Sequence, residues 1–464
     1  MAALFEHVRR AAGLAAVALS AENCIFFLIV VSVILGGGGV GYAWFNLTVQ
    51  LVAIALLAVH RERVFGFVWN APRPLVALVL ATMALPLLQL IPLPPALWTL
   101  LPGRDLAEQA LDLVEAADTW QPISVDSNRT AVAFLGLLPA FAIVVLGWDL
   151  EPAGRERMRQ AIIAAALICV AMGAVQLATG NRLGNWYSGG QPDVLYGSFA
   201  NRNSTGLFLV IALLAVLGAP DGRRVRFGSL PARITLGVIF AICVFLTQSR
   251  SSVALLLVPL ALVGWRFVSA RREAGPPRGG KGYIPVVIAA LLVAGASYVA
   301  VTTYRIQQTV ERFESFDGPR LAVWDDSRAV AGRYWPVGSG TGTFDEVFQV
   351  DESLEHVDPT RPGRAHNDYL ELMIESGIFG LLLAGAWAAW LSRSALTTPS
   401  GPLRTQGQVV AGFALLVLAL QSLVDYPLRN QTLLCVAALM LVLAIGRGPV
   451  GRTAVTASGE APAV

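Results

Sequence analysis

The chain has 464 residues, of which 55% are hydrophobic and only 14% charged, for a net charge of +3 and a mean hydropathy of +0.62. Soluble domains carry about 25% charged residues, so the composition argues against a soluble fold. There is also no Walker sequence, no strand-associated dinucleotide fingerprint and no basic stripe, which ranks nucleotide-driven chemistry and nucleic-acid binding low.

Repeated apolar segments of about 18 residues fit a single helical bundle in a bilayer whose hydrocarbon core is about 30 Å thick. Residues 1–24 carry Arg9 and Arg10 in an Ala/Leu-rich pattern without the long uninterrupted apolar core of a signal peptide, and read as a cytoplasmic or interfacial segment. Nine spans are expected within 25–301, at 25–42, 46–59, 74–92, 130–148, 160–178, 203–219, 231–248, 250–268 and 283–301. Three more are expected within 376–446, at 376–392, 407–424 and 431–446, leaving 447–464 as a disordered cytoplasmic tail. Cys24, Cys169, Cys243 and Cys435 all fall in apolar runs and read as small core residues rather than a disulfide or thiolate framework. Gly36 to Gly39, four glycines in the first span, read as a close-packing or flexible segment rather than a phosphate loop.

With the N-terminus inside, most of the 34 cations fall on cytoplasmic segments. More than half of the remainder sit in one long loop, which orientation rules discount. The expected topology has about twelve spans and both termini inside. Three substantial outer pieces result: 93–129, 180–202 and 302–375. The last, between spans nine and ten, holds 14 acidic residues against 7 arginines together with aromatics and glycines. It is too long for an unstructured connection and is expected to form a partly helical cap. Asp325 to Tyr334 can be helical. Pro336 to Thr343 (PVGSGTGT) cannot. Asn367 can N-cap a helix beginning at Asp368, with acids in its first turn. The cap aromatics Trp324, Trp335, Phe344 and Phe348 suit stacking on sugars.

Four groups of outer residues can carry chemistry. His366, just ahead of that helix, is the stronger of two outward histidines, the other being His356, as a neutral-pH proton acceptor; a surface histidine capping the helix is the competing reading. Arg250 sits in the tight turn Thr247-Gln248-Ser249-Arg250-Ser251-Ser252 between two apolar spans. A cation there breaks the charge trend and suits an anionic ligand, or a structural ion pair. Arg320, just before the cap helix, offers a guanidinium fork suited to phosphate. Arg202 and Asn203, with Asn201, lie at the top of the sixth span, where they either bind sugar hydroxyls or cap the helix; Asn367 is a further candidate contact. No Asp, His or Cys cluster has metal-ligand spacing, and Asp325-Asp326 is isolated, so neither a metal nor any cofactor is expected.

Several motifs resemble, in order, those of the O-antigen ligase and polymerase superfamily of bacterial envelope glycosyltransferases. They are Gly197-Ser198-Phe199-Ala200-Asn201-Arg202-Asn203, Thr247-Gln248-Ser249-Arg250, Pro336 to Phe344, His366-Asn367-Asp368-Tyr369-Leu370 with Glu375-Ser376-Gly377, and Ser422-Leu423-Val424-Asp425-Tyr426-Pro427-Leu428-Arg429. The similarity spans about 197–430. It implies an all-α polytopic fold of the C-type membrane glycosyltransferases in the bacterial inner membrane, with the active site periplasmic. The donor would be an undecaprenyl-pyrophosphate-linked glycan and the acceptor a glycan or lipid A core. Transfer would be inverting and metal-independent, and a chain-length regulator is a further candidate partner. The family's pyrophosphate-binding arginines carry over onto Arg250 and Arg320, and its base onto His366. Polymerase and ligase differ only in acceptor and both stay open. A lipid-linked glycan flippase is the alternative from another class, disfavoured by spans nearly free of ionisable residues.

Overall fold

The computed structural model describes residues 19–187, 190–219, 227–274, 319–355, 357, 361–397 and 406–445. The expected ninth span at 283–301, the first part of the cap at 302–318, His356 and both chain ends lie outside the described residues.

The described chain is almost wholly helical. The first half contains α1 (Ala21–Leu35), α2 (Ala43–Val59), α3 (Arg61–Asn70), α4 (Arg73–Gln89), α5 (Pro95–Trp98), α6 (Asp105–Leu113), α7 (Ser127–Gly147), α8 (Pro152–Ala178) and α9 (Arg202–Leu217). The second half contains α10 (Leu230–Leu246), α11 (Arg250–Leu255), α12 (Leu257–Ala274), α13 (Pro319–Tyr334), α14 (Phe344–Asp351), α15 (Asp368–Thr397), α16 (Gln406–Gln421) and α17 (Gln431–Ile445). The described strands are the two-residue β1 (Pro92–Leu93) and β2 (Gln121–Pro122), which pair antiparallel and close the 93–129 loop. Helix starts follow local chemistry. Asp126 accepts the N–H groups of Asn128 and Arg129 at 2.9 and 3.0 Å to cap α7, and prolines occupy the first turns of α4, α8 and α10, where no N–H is needed.

Among the described residues α7, α8 and α15 are each long and apolar enough to cross a bilayer alone. The pair α2 and α3, bent by 77° at His60, would make a fourth, and six shorter apolar helices accompany them. The expected second span is thus the first arm of a broken pair, and the expected eighth is interrupted at Leu256 between α11 and α12. Helix α9 is buried on nearly every face from Asn203 to Val216 and forms the centre of the bundle, packed against α8, α10 and α16. Such a helix is apolar all round because no face meets water. At its C-terminal end three arginines converge: Arg159 donates to Ala215 O at 2.7 Å, and Arg233 and Arg266 to Leu217 O at 3.2 and 2.7 Å. They complement the carbonyl end of the helix dipole.

The glycine run is a packing device. A Cβ on Gly37 would stand 1.8 Å from Ser198 O, and one on Gly38 2.7 Å from the Tyr187 ring. The exposed backbone is used directly, since Gly37 O accepts from Ala200 N and Asn430 Nδ2, both at 3.0 Å. The run therefore ties the first span to the 197–201 segment and to the start of α17.

The cap helix begins at Pro319, six residues earlier than the 325–334 expectation, which places Arg320 inside its first turn rather than ahead of it. Helix α15 fuses the expected cap helix with the tenth span. The join is a kink at Gly377, with φ 54° and ψ −142°. The turn Pro336 to Thr343 fills the gap the kink opens. Ser339 N donates to Ile374 O, Gly340 N to Glu375 O and Ile378 N to Pro336 O, each at 2.9 Å, so the backbone groups freed at the kink find partners. Gln89 at the end of α4 closes the arrangement by donating to Glu375 O at 2.9 Å and accepting from Thr341. The buried Arg104 donates to Gly338 O at 3.2 Å and stacks on the Tyr334 ring. Phe344 and Phe348 are fully buried in the small core of the cap. That corrects the expectation of sugar stacking for those two rings: the cap is too small to have a core without them.

Candidate functional site

The segment joining α16 to α17, residues 421–430, contains a 3-10 turn at Pro427–Arg429. It is the point on which the sequence-predicted residues converge. Asp425 Oδ1 lies 3.2 Å from His366 Nδ1. Val424 O accepts from Arg320 Nη1 at 3.2 Å. Tyr426 OH accepts from Asn201 Nδ2 at 3.4 Å. Gln421 Nε2 donates to Ser251 Oγ at 3.0 Å. Ser422 O accepts from Asp368 N at 2.9 Å. His366 and Arg320 are thus direct partners of this segment, and Arg250, Arg202 and Asn367 each adjoin a residue that is, whereas Asn203 is held by the Arg250 turn instead.

His366 has φ 51°, a left-handed backbone that few non-glycine residues adopt. Its side chain is 32% exposed while that of Asp425 is 3% exposed. An ionised carboxylate only accepts, so the ring nitrogen facing it is the one carrying hydrogen. In the neutral imidazole that arrangement leaves the lone pair on Nε2. The Tyr426 ring meets the imidazole edge-on with centroids 5.0 Å apart. Burial first, and the Asp425 carboxylate second, push the Tyr426 phenol up to about 12. Asn367 acts as the expected cap, its Oδ1 accepting from Tyr369 N and Leu370 N at 3.0 and 3.1 Å.

Arg250 begins α11. The hydroxyls on either side of it are fixed: Ser249 Oγ donates to Asn203 Oδ1 at 2.8 Å, and Ser251 Oγ takes the Gln421 amide. Asn203 is therefore held by the Arg250 turn, and Arg202 opens α9 directly after its cap, Asn201, whose Oδ1 accepts Asn203 N at 2.9 Å. Trp324 Nε1 donates to Ala365 O at 2.7 Å, seating α13 against the residue before His366.

Beneath this layer is a buried charge cluster that sequence reasoning did not assign. Asp368, Glu371 and Glu375 are spaced to fall on one helical face and are buried. Arg429 reaches all three, with Nη1 2.7 Å from Glu375 Oε2 and Nε 3.4 Å from Glu371 Oε2 and 3.7 Å from Asp368 Oδ1. Arg364 adds a second cation, 3.2 Å from Glu371. Burial works against the Arg429 charge, but Glu375, Glu371 and Asp368 outweigh it and hold the guanidinium above its ordinary range. The signal that could have found the cluster is the charge pattern. Asp425 and Arg429 are the only residues charged at neutral pH between Gln406 and Ile445, and a charge isolated in an apolar stretch calls for a partner.

Residues 235–385 match the family model of the O-antigen ligases. The matched stretch contains Arg250, Arg320 and His366; Asn201, Arg202, Asn203 and the Asp425 segment lie outside it. Among curated proteins, none matches this chain.

Proposed function

We propose that this chain, whose residues 235–385 match the O-antigen ligase family model, is a membrane glycosyltransferase that moves a glycan from undecaprenyl pyrophosphate onto a glycan or lipid A core acceptor at the periplasmic face of the inner membrane. In this reading about twelve spans carry the site, residues 302–375 form its cap, and both termini are cytoplasmic. Arg250 and Arg320 grip the donor pyrophosphate. An acceptor hydroxyl attacks the anomeric carbon, its proton passes to His366 Nε2, and the bond from that carbon to the pyrophosphate oxygen breaks with inversion. The electron pair leaves on the lipid pyrophosphate, where two guanidiniums in a poorly solvated site offset the growing charge without a metal ion. Asp425 holds the His366 tautomer that leaves Nε2 able to take the proton. Arg202, Asn203 and Asn367 line the sugar path.

The observation that carries this reading is that consecutive residues of one segment, Val424 and Asp425, hold Arg320 and His366. Anchoring on adjacent residues supports reading Arg320 as the leaving-group cation and His366 as the proton acceptor, a pairing that group transfer requires and passive translocation does not. The test is purified protein with a polyprenyl-pyrophosphate glycan and an acceptor, assayed with chelator present. Transfer is expected from the wild type and to fall by orders of magnitude, to a small residual rate, in His366→Ala and Arg250→Ala. Unchanged transfer in both variants would remove the site assignment. Movement of the lipid-linked glycan across liposomes without any transfer would establish the flippase alternative instead.

A further inference from the structure

Glu371 links the two chain segments that carry the His366–Asp425 pair. Its Oε1 accepts the backbone N–H of Ala365, the residue before His366, at 2.9 Å. Its Oε2 faces Arg429, which sits four residues after Asp425 on the segment that carries it. The same segment is pinned a second time to α15, because Asp368 Oδ2 accepts from Leu428 N at 3.2 Å and from Ser422 Oγ at 2.8 Å. His366 lies between these restraints in its left-handed conformation. A side-chain-bearing residue stays there only when its surroundings over-determine it.

We propose that Glu371 and Arg429 are positioning residues, a buried ion pair that clamps the backbone on both sides of the His366–Asp425 dyad and so sets its spacing and the protonated nitrogen of the imidazole. The proposal rests on the reading of His366 as the proton acceptor. Packing alone does not account for the pair, since apolar side chains of the same volume would fill the space without the desolvation cost of two charges. What charges supply is direction. The bond from Ala365 N to Glu371 fixes the loop leading into the histidine, and the ion pair of Arg429 with the same carboxylate, at 3.4 Å, holds the segment bearing its partner.

The test uses the full-length protein in lipid nanodiscs with 15N-labelled histidine, the His366 ring signals being assigned by their loss in His366→Gln. The wild type is expected to show a single neutral tautomer protonated at Nδ1. Glu371→Gln keeps the acceptor for Ala365 N but removes the charge, and Arg429→Met removes the other partner. Both are expected to lose the single-tautomer signature and to slow transfer on the order of tenfold or more, with an altered pH–rate profile, as loss of an orienting outer partner does elsewhere. Arg429→Lys is expected to restore part of each. Variants that keep the wild-type ring signature and pH–rate profile, whatever happens to their melting temperature, would overturn the clamp. Should Arg429→Met fail to fold, the near-isosteric Glu371→Gln decides by the same two readouts. Full transfer in His366→Gln combined with a tautomer that still responds to Arg429→Met would retire the base and leave the clamp standing.

Discussion

His366 Nδ1 and Asp425 Oδ1 meet at 3.2 Å although 59 residues separate them in sequence. Beside an ionised carboxylate, a neutral imidazole carries its hydrogen on Nδ1. Asp425→Asn preserves volume but replaces an obligate acceptor with an amide that can donate, so the imidazole loses its fixed orientation. Initial transfer rates should fall roughly 10²–10⁴-fold, with little change in the donor concentration needed for half-saturation.

The arginines should behave differently. If Arg250 and Arg320 hold the pyrophosphate, a lysine keeps the charge and loses the two-pronged geometry. Arg250→Lys and Arg320→Lys should each raise the donor KM about tenfold or more, as loss of a charge-assisted bond of about 1.5–3 kcal/mol implies. Steady-state titration of donor at saturating acceptor measures this. For Arg320 a smaller loss of kcat should accompany it, because its Nη1 also anchors Val424 O beside Asp425.

Neighbouring glycines offer an internal comparison. A Cβ at Gly37 would collide with Ser198 O at 1.8 Å, whereas at Gly39 it meets nothing within 4 Å. Gly37→Ala should cost about 2 kcal/mol or more and Gly39→Ala within about 0.5 kcal/mol of nothing. Gly377→Ala should be as damaging as Gly37→Ala, since it adds a left-handed backbone to a 2.0 Å contact with Pro336 O. The four buried free cysteines provide the assay: a thiol-reactive dye reports their exposure on heating.

Two phenols outside the expected spans set an alkaline limit. Burial is the leading cause that pushes Tyr187 and Tyr426 each up to about 12. The unfolded chain ionises them near the ordinary value of about 10, so it releases protons first. Stability from these groups is complete below pH 10 and declines as pH rises from 10 towards 12. Tryptophan emission during unfolding across that window should show the decline, and Tyr426→Phe should flatten it.

Much of the architecture was legible because bilayer physics writes it into composition. Apolar runs and the Asn367 cap are local signals, and the cap forms as its side-chain spacing implies. The break at His60, the fused helix through Gly377 and the burial of Phe344 and Phe348 were not legible, since each depends on what a segment packs against. The site divides the same way. Arg250, Arg320 and His366 stand out as polar groups in unusual places. Asp425 and Arg429 lie in a short connection between apolar helices, and their importance comes from residues brought to them across the fold. In sequence, Asp368 and Glu371 are first-turn acids that suit the helix dipole, and Glu375 is part of a Glu-Ser-Gly motif. Their convergence on Arg429 becomes evident only in three dimensions.

The most direct test of the central claim is a double-mutant cycle on transfer rate, comparing His366→Ala, Asp425→Asn and the two combined. If the residues act as one proton-accepting unit, the double variant should be no slower than His366→Ala alone, because removing the imidazole leaves Asp425 nothing to orient. Losses that add in free energy, or a single variant that transfers glycan at the wild-type rate, would contradict the account.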